Sequence, residues 1–340
     1  MKTVYMCGPR DVSTIEVPSP ELRPGDILIR VQRVGLCGTD LHSYRGSMAL
    51  TRYPVIPGHE MGGYVLAVGA EVPEGLFAEG DRVTVKPYFN CGACYPCRIG
   101  RINCCKNSRT MGVQMREGAM SDYVSVPYDH VFKCGDLSYE EIALIEPLAV
   151  GAHLANRAGI AAGENVLVYG CGLIGLGAIA AAYFAGANVI AVDIADEKFE
   201  TAAAMGAKAC INSRKQDLER EVERLTNGVG LAAVLEAVGL GETMAQAVEL
   251  VNFAGRVGLI GYGKGDFPVD ENKIVQKELD IIGARNAVTE EFLAVIENMT
   301  SRKLDFSKLV SAVYPAEKAK DAFEDWDKNP DRFVKIQIQF

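Results

Sequence analysis

At 340 residues the chain is long enough for two domains with separate cores. Its 44 acidic against 35 Lys and Arg residues give a net charge of −9, with no basic stripe to neutralise phosphates, which excludes nucleic acid as a partner. No run of about eighteen apolar residues marks a membrane span, and residues 1–10 lack the basic-then-apolar layout of a secretion signal, so the ten cysteines read as reduced thiols and metal ligands of a cytoplasmic protein.

Glycine and proline interrupt the first 145 or so residues at intervals of about eight to twelve. The β-rich runs 26–31, 83–87 and 122–126 predict a compact all-β region of short strands carrying long functional loops. Cys37 lies in GLCGTDLH, and His59 and Glu60 lie in PGHEMGG. A thiolate, an imidazole and a carboxylate are the ligand types that zinc takes when one position stays open for water or substrate. Taken singly, His59 reads more often as a satisfied core or loop histidine and Glu60 as a surface carboxylate.

The run CGACYPCRIGRINCC places Cys91, Cys94, Cys97 and Cys105 at the spacing of a closed four-thiolate zinc site, which folds a loop and performs no chemistry. Cys104 is the alternative fourth ligand if the loop shifts by one residue. Further on, Glu146 sits in ALIEPLAVGAH between apolar residues and a proline. A carboxylate there is costly unless paired or metal-bound, so it is a fourth ligand, a partner of bound water, or a helix-end cap.

From residue 165 the texture changes. A buried strand over 166–169, an alanine-rich helix over 174–184 and a second strand over 189–193 open an alternating series. Strand runs follow at 209–211, 232–237, 256–260 and 280–282, which predicts a doubly wound parallel sheet. Helices are expected at 290–299 and 317–327, then a last strand at 333–339 that returns to the first domain and makes it discontinuous. Between the first strand and its helix lies Gly170-Cys171-Gly172-Leu173-Ile174-Gly175. Its glycines permit the tight turn, the approach of a pyrophosphate and close helix packing, while the helix N-terminus favours anionic phosphates. Asp193 ends the next strand about twenty residues later, where a carboxylate can bond both ribose hydroxyls. It would repel a 2′-phosphate, and Ile194 and Ala195 offer no arginine to hold one, so NAD is predicted over NADP.

The motifs GLCGTDLH, PGHEMGG, the four-cysteine lobe, ALIEPLAVGAH and GCGLIG, in this order, resemble the zinc-dependent medium-chain alcohol dehydrogenases, in the sorbitol and sugar-acid branch. The resemblance implies an α/β architecture, with a GroES-like β-rich catalytic domain over 1–148 and 286–340 and a Rossmann NAD-binding domain over 149–285, the active site lying in the cleft between them. It implies two zinc ions per chain, the catalytic one on Cys37, His59 and Glu146, with Glu60 adjacent and able to bind directly or through water. Classical alcohol dehydrogenases carry cysteine where Glu146 stands; the carboxylate is similar to sorbitol dehydrogenases.

The resemblance further implies a proton relay from Thr39 through the cofactor ribose to His42, with Asp40 orienting the ligand histidine. Without the motif, Thr39 reads as a turn hydroxyl and His42 as a surface imidazole. RINCCKN and ARNAVTEEF resemble L-galactonate 5-dehydrogenases. The expected activity is oxidation of a secondary hydroxyl on a small polyhydroxylated substrate, a sugar acid or polyol, by a homodimer or homotetramer. Threonine dehydrogenation and non-catalytic redox sensing are the competing expectations. A sugar acid needs a cation for its carboxylate. Arg45, Arg52, Arg109, Arg116 and Arg285 are conceivable, and Arg116 or Arg45 is the expected one.

Overall fold

Apolar residues alternate with polar ones along the Asp26–Gly35 strand, so Ile27, Ile29 and Val31 are fully buried while Arg30 and Gln32 are partly exposed. This strand anchors the first of two units. The computed structural model describes residues 1–114, 117–263, 266–268 and 270–340. One unit comprises Met1–Glu146 with Leu309–Phe340, the other Pro147–Lys308.

In the first unit a seven-stranded sheet runs in the order Val310–Pro315, Lys335–Gln339, Asp26–Gly35, Glu60–Val68, Arg82–Val85, Val131–Lys133, and Tyr123–Pro127 also pairs with Asp26–Gly35. The Lys335–Gln339 strand joins Asp26–Gly35 antiparallel, with Gln337 opposite Gly35. The unit is not all β. The short helix Gly38–Tyr44 and the helix Ala319–Lys328 pack through Tyr44 and Phe323, whose rings stack at 5.3 Å. Period-2 reading of the sequence passes over a two-turn helix because so few residues carry its 3.6-residue period.

The second unit is a six-stranded parallel sheet in the order Ala209–Asn212, Asn188–Asp193, Asn165–Tyr169, Leu231–Glu236, Val251–Leu259, Asp280–Gly283. Asn188–Asp193, Asn165–Tyr169 and Leu231–Glu236, in the middle of the sheet, are near-continuous apolar runs, as burial on both faces demands. The strand order reverses direction at Asn165–Tyr169, and the glycine loop leaves that strand's C-terminal end, the place where such sheets bind ligands.

The two breaks fall at Glu146/Pro147 and Lys308/Leu309, so the second comes later than the expected 285/286. Thr289–Thr300 stays with the parallel sheet because Glu291, in its first turn, bonds His153 at 3.1 Å and Asn156 at 3.2 Å on the Ile145–Arg157 helix. No helix among the described residues is long and apolar enough to cross a membrane.

Candidate active site

Cys37 is the N-cap of the Gly38–Tyr44 helix, and Asp40 at its third position accepts the Cys37 backbone N–H at 2.9 Å. This reciprocal cap fixes the thiol at the helix start. Asp40 also accepts from the Gly58 amide at 3.3 Å and lies 4.0 Å from His59 Nδ1, so one buried carboxylate ties both motifs together. Burial raises the Asp40 pKa, against the pull of His59.

Cys37, His59 and Glu60 present ligand atoms all within 4.8 Å of one another, and His59 and Glu60 are buried. Among the described residues His59 Nδ1 has no hydrogen-bond partner. Burial acts to lower the His59 pKa, but the charges of Cys37 and Asp40 overcome it and hold the imidazole well above its usual range. A buried imidazole drawn this strongly toward positive charge, beside a thiol and a carboxylate, is a donor set that fits a divalent zinc ion.

Glu146, in the first turn of the Ile145–Arg157 helix, lies outside that trio. The buried Tyr88 hydroxyl donates to its Oε1. Burial pushes Glu146 up to about 7, with Glu60 adding to the rise and His59 opposing it. Glu60 is itself engaged: Lys335 Nζ donates to its Oε1 at 2.9 Å, to its Oε2 at 2.6 Å and to the Leu36 carbonyl at 2.7 Å. Only a glycine fits at position 35, because a Cβ there would stand 2.1 Å from Glu60 Oε2. Thr39 Oγ1 is 3.7 Å from Cys37 Sγ. One helical turn on, exposed His42 shares a 2.9 Å hydrogen bond with Ser47 through Nδ1.

The second cluster is local. Cys91, Cys94, Cys97 and Cys105 hold their Sγ atoms within 4.8 Å of one another, with Cys105 and not Cys104 as the fourth member. The Sγ separations of 3.4, 3.5 and 3.8 Å exclude disulfides and approach the ~3.8 Å edge of a tetrahedron with 2.3 Å zinc–sulfur bonds. The Ala93 and Cys94 amides lower the Cys91 pKa to about 6, and the Cys97 and Lys106 amides lower that of Cys94. Burial raises Cys97 to about 11. Backbone donors aimed at sulfur are what a bound thiolate set requires, so this lobe also fits zinc.

In the parallel-sheet unit, Gly170 has φ +92, and a Cβ on Gly175 would meet the Gly170 carbonyl oxygen at 1.8 Å. Gly172 caps the Leu173–Phe184 helix, so Leu173 and Ile174 sit in its first turn. Asp193 accepts the Cys171 amide at 2.8 Å and the Ile194 and Ala195 amides at 2.8 and 3.2 Å, which orders the loop. Lys198 Nζ stands 3.4 Å from both its oxygens.

A model of the alcohol dehydrogenase GroES-like domain matches residues 23–136, and one of the zinc-binding dehydrogenase domain matches 174–301. The chain is 36% identical to the sorbitol dehydrogenase of Bacillus subtilis strain 168, over 95% of this chain and 93% of that protein. This chain belongs to the zinc-dependent medium-chain alcohol dehydrogenase family. It is also 33% identical to the L-galactonate-5-dehydrogenase of Escherichia coli K12, over 93% of each chain. An alcohol dehydrogenase of Escherichia coli CFT073, solved with NADH, superposes with a TM-score of 0.91 at 29% identity, covering 100% of this chain and 99% of the other. The GroES-like and Rossmann architecture expected from the motifs is therefore the fold of this dehydrogenase.

Sequence reasoning missed Tyr88, Lys198 and Lys335. Lys198 carried a signal, a cation five residues after the strand-ending acid; Tyr88 and Lys335 carried none that spacing reveals. Arg45, expected to bind a substrate acid, is paired with Asp327 at 2.5 Å, and Arg10 holds the same carboxylate at 2.8 Å. Arg116, the other expectation, lies outside the described residues.

Proposed function

We propose that this dehydrogenase oxidises a secondary hydroxyl of a sugar acid or polyol to a ketone, with NAD as hydride acceptor. The observation that carries the proposal is the convergence of Cys37, His59 and Glu60 from two separate motifs, with Thr39 beside the thiol and Glu146 held nearby by Tyr88. Cys37, His59 and Glu60 would hold the catalytic zinc, with Glu146 as the further carboxylate; the four-cysteine lobe would hold the structural one. When bound, the catalytic zinc supplies Lewis acidity that eases loss of the hydroxyl proton near neutral pH, and the nicotinamide supplies the hydride acceptor.

The chain's own residues do the rest. Thr39 bonds the reacting oxygen and accepts its proton while releasing its own hydroxyl proton toward exposed His42, which is seated on Ser47 and hands a proton to water. Asp40 holds the Cys37 amide and faces His59, keeping the donors in register. Asp193 favours the free ribose of NAD over a 2′-phosphate, and Lys198 neutralises part of its charge.

The test is zinc content followed by NADH formation on a panel of sugar acids, polyols and L-threonine. Two zincs per chain and selective oxidation of an acid or polyol is the expected result. Selective oxidation of threonine would replace the substrate class, an NADP preference above about tenfold in kcat/KM would replace the cofactor, and two bound zincs without turnover of any substrate would favour a redox sensor.

A further inference from the structure

The expected arginines are spent or outside the described residues, yet unpaired cations gather elsewhere in the same unit. A cavity of about 570 Å³ opens between the segment after the Gly38–Tyr44 helix and the end of the four-cysteine lobe. Arg52, Lys106 and Arg109 line it together with Cys91 of the lobe, and among the described residues its lining includes no carboxylate. Among the described residues none of the three cations has an ion-pair partner. Like charges converging on one concave surface repel one another unless an anion joins them.

Neutral donors complete the lining. Asn107 and Ser108 contribute an amide and a hydroxyl, and the Gln114 carbonyl is committed to the Thr110 amide at 3.1 Å, leaving its NH₂ group to donate. The positions of the cations are fixed by structure around them. The Lys106 amide bonds Cys94 sulfur in the lobe, and Arg109 pairs across from Phe89 between the two-residue strands Tyr88–Phe89 and Arg109–Thr110. Tyr88 reaches Glu146, and Phe89 lines the cavity, so the cavity wall begins one residue, ~3.8 Å along the chain, from a residue bonded to the metal-site carboxylate.

We propose that this cavity seats the anionic group of the substrate, a carboxylate or a phosphate, so that the hydroxyl compound oxidised is itself an anion; this rests on the dehydrogenase function proposed above. Arg52 and Arg109 bind the anion through paired guanidinium donors, Lys106 adds a point charge, and the neutral donors fill the remaining oxygens.

Binding and turnover are measured separately, so that failure of the cavity and failure of the dehydrogenase function are told apart. The zinc-loaded enzyme is titrated calorimetrically with inorganic phosphate, as wild type, as the Arg52→Gln/Arg109→Gln double variant and as Lys106→Gln alone. One phosphate per chain is expected for wild type, weakened ~10- to 100-fold in the double variant and less in the single one. In turnover, the ratio of kcat/KM for an anionic to a neutral polyol is expected to fall by a similar factor. A larger fall with galactitol 1-phosphate assigns the seat to phosphate; a larger fall with L-galactonate assigns it to carboxylate.

Arg52→Lys/Arg109→Lys, which keeps the charge, is expected to recover part of the loss. Unchanged phosphate affinity and an unchanged anionic-to-neutral ratio in all variants would overturn the proposal while leaving the dehydrogenase intact. Charge-dependent phosphate binding with no oxidation of any polyol would instead sink the dehydrogenase function and leave the cavity as an anion site.

Discussion

The two clusters of side chains that could hold a metal ion are built in opposite ways. Cys91, Cys94, Cys97 and Cys105 come from one short segment, partly exposed, with backbone amides tuning their sulfurs. Cys37, His59 and Glu60 come from a helix cap and a strand start, and they depend on Asp40 of the same helix and on Tyr88, Glu146 and Lys335 brought from further along the chain. A local cluster can form as soon as its loop is made, so it suits scaffolding. A cluster assembled over distance can leave one position open and surround it with groups of chosen charge, so it suits chemistry.

The sharpest way to break this comparison is to remove one thiolate from each. Cys37→Ser is expected to lower kcat/KM by ~1,000-fold or more, about 4 kcal/mol of barrier, with little change in melting temperature. Cys105→Ser is expected to do the reverse: one zinc lost, a lower melting temperature and a smaller loss of turnover, read by metal analysis, thermal melting and kinetics. Equal losses of activity at unchanged stability would end the division of labour.

A second test concerns the buried pair beneath Glu60. Lys335→Met leaves a carboxylate without its cation and is expected to cost ~3–5 kcal/mol in chemical denaturation, while Lys335→Met/Glu60→Gln regains most of it. No loss in the single variant would mean that Glu60 needs no counter-charge.

The smallest effect is a pH dependence in chelator-treated protein. The Glu146 pKa is raised on folding from 4.5 to about 7, so its contribution to stability is complete below about pH 4.5 and is lost as pH rises to about 7. Relative to Glu146→Gln, the metal-free wild type is expected to lose ~1–3 kcal/mol across that window in denaturation curves. Parallel pH profiles would remove Glu146 from the buried cluster.

The same contrast governs what could be read from residues alone. The cysteine lobe is visible because zinc imposes a spacing on consecutive residues, and the glycine loop because a turn and a close helix approach impose glycine at Gly170 and Gly175. The parallel sheet is visible because strands buried on both faces are continuously apolar. Lys335 is not. Alternation of Lys335, Gln337 and Gln339 with Ile336 and Ile338 looks like a strand with one wet face, but Lys335 and Gln337 are both buried, one against Glu60 and the other donating to the Glu140 carbonyl. The later domain break was hidden for the same reason. The bonds from Glu291 to His153 and Asn156 join residues more than a hundred positions apart, and periodicity carries no information at that range.

The 275 positions between Glu60 and Lys335 also set a schedule. At a ribosomal rate of ~5–20 residues per second, tens of seconds separate the carboxylate from its lysine. The whole of Pro147–Lys308 emerges in that interval, a contiguous segment with its own sheet, free to fold on its own account. The first unit must wait, its sheet lacking the Lys335–Gln339 strand between Val310–Pro315 and Asp26–Gly35. A nascent chain therefore holds the parallel-sheet segment and its glycine loop before it holds the lysine that completes the cluster around Glu60.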